Sequence, residues 1–280
     1  MTFNEFSRSF FSRNGKVYKT LRRFYKRAQR SLNDMRHWLN LWSYFFVNVD
    51  KSDLVIVTGA DSSHYKSLLQ FLSSLERHEP EIKTVIFDLG LKTSERLNIS
   101  KSFPNADLRI FDYSNYPPYF DIRSNAGEYA WKPVIVHDIL HEFRSCICWM
   151  DAGNLVTEPL TWIRKITVKG GFYSPISAGR ISDWTHPKTL EYLGASNELL
   201  DRRNLSGACV AVSFDSTIAR QLISDWRDGA LNKDCIAPVG SSRQNHRQDQ
   251  AVLSVLAYKS GITRNLPTGI HGIRFHNDID

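Results

Sequence analysis

The chain has 280 residues, 42% of them hydrophobic and 23% charged, enough for one large domain with a real core or a domain plus an appendage. Its formal charge of +7 is uneven: residues 1–45 hold ten Lys/Arg against two acidic residues, while the other 26 basic and 27 acidic residues nearly cancel. The basic character belongs to the N-terminus, and a neutral body argues against a nucleic-acid binder.

From Val17 the apolar residues recur through Leu21, Phe24, Ala28, Leu32, Met35, Leu39, Trp42 and Phe46, a mean step of about 3.6 residues, the period of a straight amphipathic helix. Lys16, Lys19, Arg22, Arg23, Lys26, Arg27 and Arg30 occupy its other faces. The expected segments are 1–50, basic and helical, and 51–280, the main domain. The helix reads either as one packed on its own domain with a solvated basic face, or as one lying on an anionic membrane face through residues 16–46. The longest apolar run near the start, "WLNLWSYFFVNV", is too short to span a bilayer, which needs about 20 residues. No signal peptide is legible.

After Asp50 the pattern changes. "DLVIVTGAD" (53–61) reads as a strand and "SHYKSLLQFLSSLERH" (63–78) as a helix. "KTVIFDLGL" (83–91) and "DLRIFDY" (107–113) read as further strands. Alternation in units of this kind implies a mostly parallel, Rossmann-like α/β sheet with helices on both faces. "EYAWKPVIVHDILHEF" (128–143) reads as a helix with Pro133 in its first turn. "CICWMD" (146–151) is a central strand, and "GGFYSPIS" and "SGACVAVSF" (206–214) follow as strands. Two helices close the chain, 216–231 and 249–261, the second ending at Gly261. Cys146, Cys148, Cys209 and Cys235 lack zinc-type spacing and read as small hydrophobes in a reducing compartment.

In such sheets ligands bind beyond the carboxyl ends of the strands. There the chain places Thr58, Gly59, Ala60 and Asp61, then Asp88 to Gly90, and then Asp151, Gly153 and Asn154. Lys132 precedes a helix N-terminus, a place that suits an anion. Gly240, Ser241, Ser242, Arg243, His246 and Arg247 crowd a loop that leads into a helix near Asp249, which is placed to serve as its N-cap. His271 and His276 lie in the tail; a late histidine can complete a metal site with a carboxylate.

"VTGAD", "FDLGL", "YAWKP" with "CWMDAGNLV", and "HRQDQAVLSVL", in this order, resemble a nucleotide-sugar-dependent glycosyltransferase of the GT-A fold over roughly residues 50–280. The resemblance implies transfer of a sugar from a nucleotide-sugar donor to a hydroxyl of a glycan or lipid-linked acceptor, in polysaccharide or glycoconjugate synthesis. It implies that Thr58, Gly59, Ala60 and Asp61 line the nucleoside pocket, and that Lys132 and Arg243 face the diphosphate. Asp151, with Gly153 and Asn154, stands where the family's Asp-x-Asp motif holds Mn2+ or Mg2+, and His271 or His276 matches its late metal-ligand histidine. Asp249 takes the place of the carboxylate near the sugar or acceptor, with Ser206, Gly207, His246, Arg247 and Gln250 around it. The departure is Gly153, where the motif's second carboxylate is absent. Metal held by Asp151 with a distant histidine, weak metal, and a metal-free site in which Lys132, Arg243 and Arg247 balance the diphosphate all stay open. The expected location is cytoplasmic, peripheral on the membrane. A sugar nucleotidyltransferase, or a non-catalytic nucleotide- or sugar-binding module of the same fold, is the alternative reading.

Overall fold

Beyond Asp50, short apolar runs form the sheet and the amphipathic segments cover it. The computed structural model describes residues 42, 44–50, 54–265 and 272–280. The basic helix expected over 17–46 lies outside the described residues except at its last turn, and His271 lies outside them altogether.

Strand β1 (Val55–Asp61) leads through a 3-10 turn into helix α1 (Tyr65–His78), then β2 (Lys83–Gly90), α2 (Thr93–Ser102) and β3 (Asp107–Ile110). Helix α3 (Trp131–Phe143) precedes β4 (Cys146–Met150), the two-residue β5 (Leu155–Val156) and α4 (Thr161–Gly170). Next come β6 (Phe172–Tyr173), β7 (Ile176–Arg180), β8 (Arg203–Leu205) and β9 (Cys209–Ser213). Helices α5 (Thr217–Leu231) and α6 (Gln248–Ser260) and strand β10 (Ile273–Arg274) complete the described elements used below.

The central sheet has six strands in the order β3-β2-β1-β4-β9-β6. β3, β2, β1 and β4 run parallel, and β9 runs antiparallel to both β4 and β6. Side chains alternate across each strand. Val55, Val57, Ile147, Trp149, Val210 and Val212 share one core with α3, α5 and α6. Ile56, Ile86, Cys148 and Ala211, buried on the other face, are covered by the apolar stripe of α1 and by α4. Covered on both faces, the central strands β1, β4 and β9 are mostly apolar, as buried sheet strands are.

A buried ion pair ties the lower layer together. Glu79, just past α1, accepts from Arg164 Nη1 at 2.6 Å and Nη2 at 2.8 Å, and from Leu160 N–H at 2.6 Å. Fork geometry and a third donor satisfy charges that burial would otherwise penalise.

Three sequence expectations change. The strand over 107–113 stops at Ile110, because Asp112 turns the chain by accepting from Ser114 N–H at 3.0 Å. The segment 170–177 is two short strands in different sheets, interrupted at Pro175, which has no N–H for a ladder. Asp249 is not an N-cap: α6 begins at Gln248, and the Asp249 carboxylate turns to Lys132 instead.

Candidate active site

The strand ends and the loops beyond them enclose a cavity of about 660 Å³. Its sides are Gly59 to Asp61 at the end of β1, Tyr129, Trp131 and Lys132, Asp151 to Gly153, Gly207 and Ala208, Arg243 to Gln250 except 244 and 245, and His276 with Asp278.

At its inner end lies a charge cluster. Lys132, the second residue of α3 and only 4% exposed at its side chain, pairs with Asp151 Oδ1 at 3.0 Å and Asp249 Oδ2 at 3.2 Å. It also donates to Gly207 O at 3.2 Å. The rings of Trp149, Tyr129 and Trp131 stand 5.5, 5.6 and 5.9 Å from the ammonium. Burial pushes the Lys132 ammonium down, but the two carboxylates outweigh it and hold it above the usual lysine range. Burial likewise pushes Asp249 up, against the pull of Lys132 and with the push of Asp151. One cation thus serves two carboxylates, and burial leaves Asp249 above the ordinary carboxylate range.

Asp151 Oδ1 also accepts from Trp149 Nε1 at 2.6 Å, which fixes the carboxylate's angle. Asp249 Oδ2 makes no hydrogen bond besides its ion pair, and neither does Gln250 Nε2, one residue on. A buried acceptor and a buried donor at the closed end of a cavity match a ligand hydroxyl. Gly207 keeps the approach narrow: a Cβ there would lie 2.9 Å from Asp249 Oδ2.

The opposite edge is basic. Arg243 lies 5.2 Å over the Tyr129 ring and bonds its hydroxyl, and Arg247 lies 4.2 Å over Trp184. At the end of β1, Asp61 Oδ1 accepts from Ser63 N–H at 3.1 Å and bonds His64 Nδ1 at 3.1 Å. The His64 bond, more than the two Ser63 bonds and against burial, brings Asp61 down to about 2. Gly59 is needed for close strand contact, since a Cβ would meet Phe87 O at 3.2 Å.

Strain gathers at the rim. Asn125, Ala126, Gly127, Glu128 and Tyr129 are all left-handed, with φ of 51, 55, 62, 48 and 54°. For residues other than glycine this costs roughly 1–2 kcal/mol each. The turn is held by Asn125 Nδ2 to Glu128 Oε1 (2.7 Å) and by Trp131 Nε1 to Ala126 O (3.1 Å). Gln248, also at positive φ, ties it to α6 through Glu128 Oε2 at 3.2 Å. The turn delays the helix expected from Glu128 until Trp131 and aims Tyr129 into the cavity.

Four expected site residues take other places. Asn154 is fully buried and donates to Ala208 O at 2.7 Å, so it pins the Asp151 loop to β9. Thr58 is likewise fully buried below the cavity. Ser206 is buried, and its Oγ accepts from Ala208 N–H at 3.2 Å. His246 borders the cavity, but its Nε2 donates to Ile236 O at 2.8 Å and its Nδ1 accepts from His186 N–H at 3.2 Å. Burial brings that ring down to about 4, so it stays neutral. Tyr129, Trp131, Gln248 and Asp278 were missed; the aromatics beside "WKP" were the only available signal for any of them.

A family model described as a protein of unknown function (DUF1647) matches residues 32–137. No curated protein matches the sequence. Solved structures do match in fold. The apo structure of WbbM, a bifunctional glycosyltransferase, aligns over 77% of this chain at 13% identity with a TM-score of 0.51. This chain spans only 39% of WbbM. Core-mannan synthase A from Aspergillus fumigatus, in its Mn/GDP form, aligns over 75% of this chain and 71% of its own at 8% identity, with a TM-score of 0.51. The fold is that of the GT-A glycosyltransferases. Identities this low carry the architecture and nothing about substrate.

Proposed function

We propose that this chain transfers a glycosyl group from a nucleoside-diphosphate sugar to an acceptor hydroxyl. The observation that carries the reading is the inner end of the cavity. There Gln250 Nε2, which has no partner, and Asp249 Oδ2, whose one partner is Lys132, complement a polyol, beside the buried Lys132 between two carboxylates. The cavity volume, about 660 Å³, lies within the range of small-molecule sites. The GT-A fold supports the same class of reaction.

In this reading Gly59 to Asp61 border the nucleoside, and Arg243 and Arg247 face the diphosphate. Lys132 fixes Asp151 and Asp249 rather than pointing outward. Asp249 orients the sugar or acceptor hydroxyl and takes its proton as the acceptor oxygen bonds the anomeric carbon and the carbon–phosphate oxygen bond breaks. Among the described residues no three His, Cys, Asp or Glu side chains form a ready-made cation cage. Asp151 nevertheless offers Oδ2, and His276 borders the same cavity, a donor set that suits Mn2+ or Mg2+. When bound, the cation would neutralise charge on the departing diphosphate.

Thermal shift with a panel of nucleoside diphosphates tests the reading. At 100-fold excess over Kd, one of them stabilises the fold by about 2.7 kcal/mol, and the matching sugar donor is turned over. Absence of a shift with every nucleotide overturns it. A shift without turnover selects the non-catalytic binding module, which the glycine at 153 favours.

The reading extends to a glycan or lipid-linked acceptor at a membrane surface, reached from the cytoplasm. Trp42, Phe45 and Phe46 are 68%, 60% and 73% exposed and pack ring against ring at 5.5–6.4 Å. They follow the basic stretch 16–30. No helix among the described residues is long and apolar enough to cross a membrane. Binding to anionic vesicles should weaken as salt rises, while neutral vesicles bind poorly. Equal binding to both would remove the membrane step.

A further inference from the structure

The two helices that build the charge cluster both start from backbone that their own residues would not choose. Asn125 to Tyr129 form one left-handed turn before α3, and Gln248, the first residue of α6, has a φ of 33°. Residues other than glycine enter this region singly, not in runs. Strain of this kind persists only where the surroundings over-determine it, and it gathers at functional sites. Gly127 alone is explained locally: a Cβ there would overlap Phe120 O.

Glu128 joins the two starts. Its Oε1 accepts from Asn125 Nδ2 at 2.7 Å, within the turn, and its Oε2 accepts from Gln248 Nε2 at 3.2 Å, across to α6. Among the described residues no cation pairs with this half-buried carboxylate, so both of its bonds come from amides. A second tie runs alongside, from the Arg243 guanidinium to the Tyr129 hydroxyl.

The chain on either side of Gln248 is anchored. Arg247 N–H donates to Trp184 O at 3.0 Å, and Trp226 Nε1 donates to Asp249 O at 2.8 Å. Between these anchors the torsions of Gln248, only 5% exposed, set the direction in which the chain enters α6 and so where the Asp249 side chain points. Relaxing its φ from 33° to the helical value of about −63° would turn the chain by roughly 100° at that residue. The Asp249 carboxylate, now 3.2 Å from Lys132, would swing away from it.

We infer that Glu128 is a positioning residue: its carboxylate clamps the strained Gln248 and thereby sets the angle at which Asp249 meets Lys132 and the reacting hydroxyl. The clamp itself does not depend on the glycosyl-transfer reading; its effect on turnover rests on that reading.

Steady-state kinetics well below the melting temperature, where each variant is folded, test the effect on turnover. Glu128→Gln is near-isosteric, but it sets an amide donor against one of the two amide donors. It should lower kcat about 10–100-fold, the cost of a small misplacement of a reacting group. KM for the donor should stay within about threefold of the parent. Gln248→Glu alone sets two carboxylates face to face and should lose as much. The double variant Glu128→Gln with Gln248→Glu restores the bond with its polarity reversed, since the amide at 128 donates to the carboxylate at 248 and still accepts from Asn125 Nδ2. It should turn over about tenfold faster than Gln248→Glu alone. A cycle of Glu128→Gln with Asp249→Asn, read by urea unfolding, needs no substrate: residues that share one arrangement depart from additivity, and independent ones add. Additive changes in that cycle, or a kcat for Glu128→Gln within about twofold of the parent, overturn the clamp. If the parent turns over no donor but the cycle is non-additive, the proposed function falls and the clamp stands. If the parent turns over and Glu128→Gln matches it, the clamp falls and the proposed function stands.

Discussion

Replacing Lys132 with methionine lowers the stability of the domain by about 3–5 kcal/mol, the range for removing one partner of a buried ion pair. The side chain is 4% exposed, and its ammonium stands within 3.2 Å of two carboxylates and a carbonyl oxygen. Methionine matches the length of the stem and keeps the aromatic contacts, so the loss reports charge rather than packing. It leaves the Asp249 carboxylate, 7% exposed, next to Asp151 with no cation between them. The pH dependence follows in sign. Asp249 already lies above its ordinary value, and more so without Lys132, so the folded state holds more protons than the unfolded state above about pH 4. Stability in the variant therefore falls as pH rises through that window. The Lys132 contribution in the parent is constant there, because its raised folded value is lost only above the ordinary lysine pKa of about 10.4. Urea unfolding at two pH values measures the gap, which should widen from about pH 4 to pH 7. Adding Asp249→Leu should recover part of it, since a paired deletion removes the stranded charge. A single variant within about 1 kcal/mol of the parent at neutral pH would show that the pair is solvated and the cavity is built differently.

Much of the scaffold that holds this cluster was legible in the sequence. The strand read over 53–61 is Val55–Asp61, and the helix read over 216–231 is Thr217–Leu231. The first is a continuous apolar run and the second an amphipathic segment, so local pattern and tertiary burial agree. The motif loop, the lysine and the aspartate of "RQDQ" do line one cavity. What could not be read depends on contacts across the fold. The left-handed turn 125–129 uses Ala126, Glu128 and Tyr129, residues with no local preference for that region, and neighbouring elements must hold it there. His246 and Asn154 have the chemistry of ligands, and only burial with backbone partners reveals that they serve the fold. Asp278 meets Gly153 across more than a hundred residues of chain, and no spacing rule reaches that far.

Changing Asp249 to asparagine separates catalysis from stability at the centre of the site. The proposed turnover falls about 10²–10⁴-fold, the usual contribution of a positioned base. The fold holds its stability or gains, because a neutral amide replaces a carboxylate that burial already disfavours. Lys132 is not stranded by the change, since Asp151 and Gly207 O remain within 3.2 Å of it. Donor affinity should change far less than the maximal rate, because in the proposed reading Asp249 meets the reacting hydroxyl and the diphosphate is bound by other groups. The rate–pH profile adds an independent mark. A base works only when deprotonated, so the parent loses activity as pH falls through a value above the ordinary carboxylate range, and the asparagine variant lacks that limb. Turnover within about fivefold of the parent would remove Asp249 from the chemistry, since such a change amounts to roughly 1 kcal/mol and is no more than loss of a minor contact. The Lys132 ion pairs would then be a structural brace beneath a sugar pocket, and Asp249 would only position what lies above it.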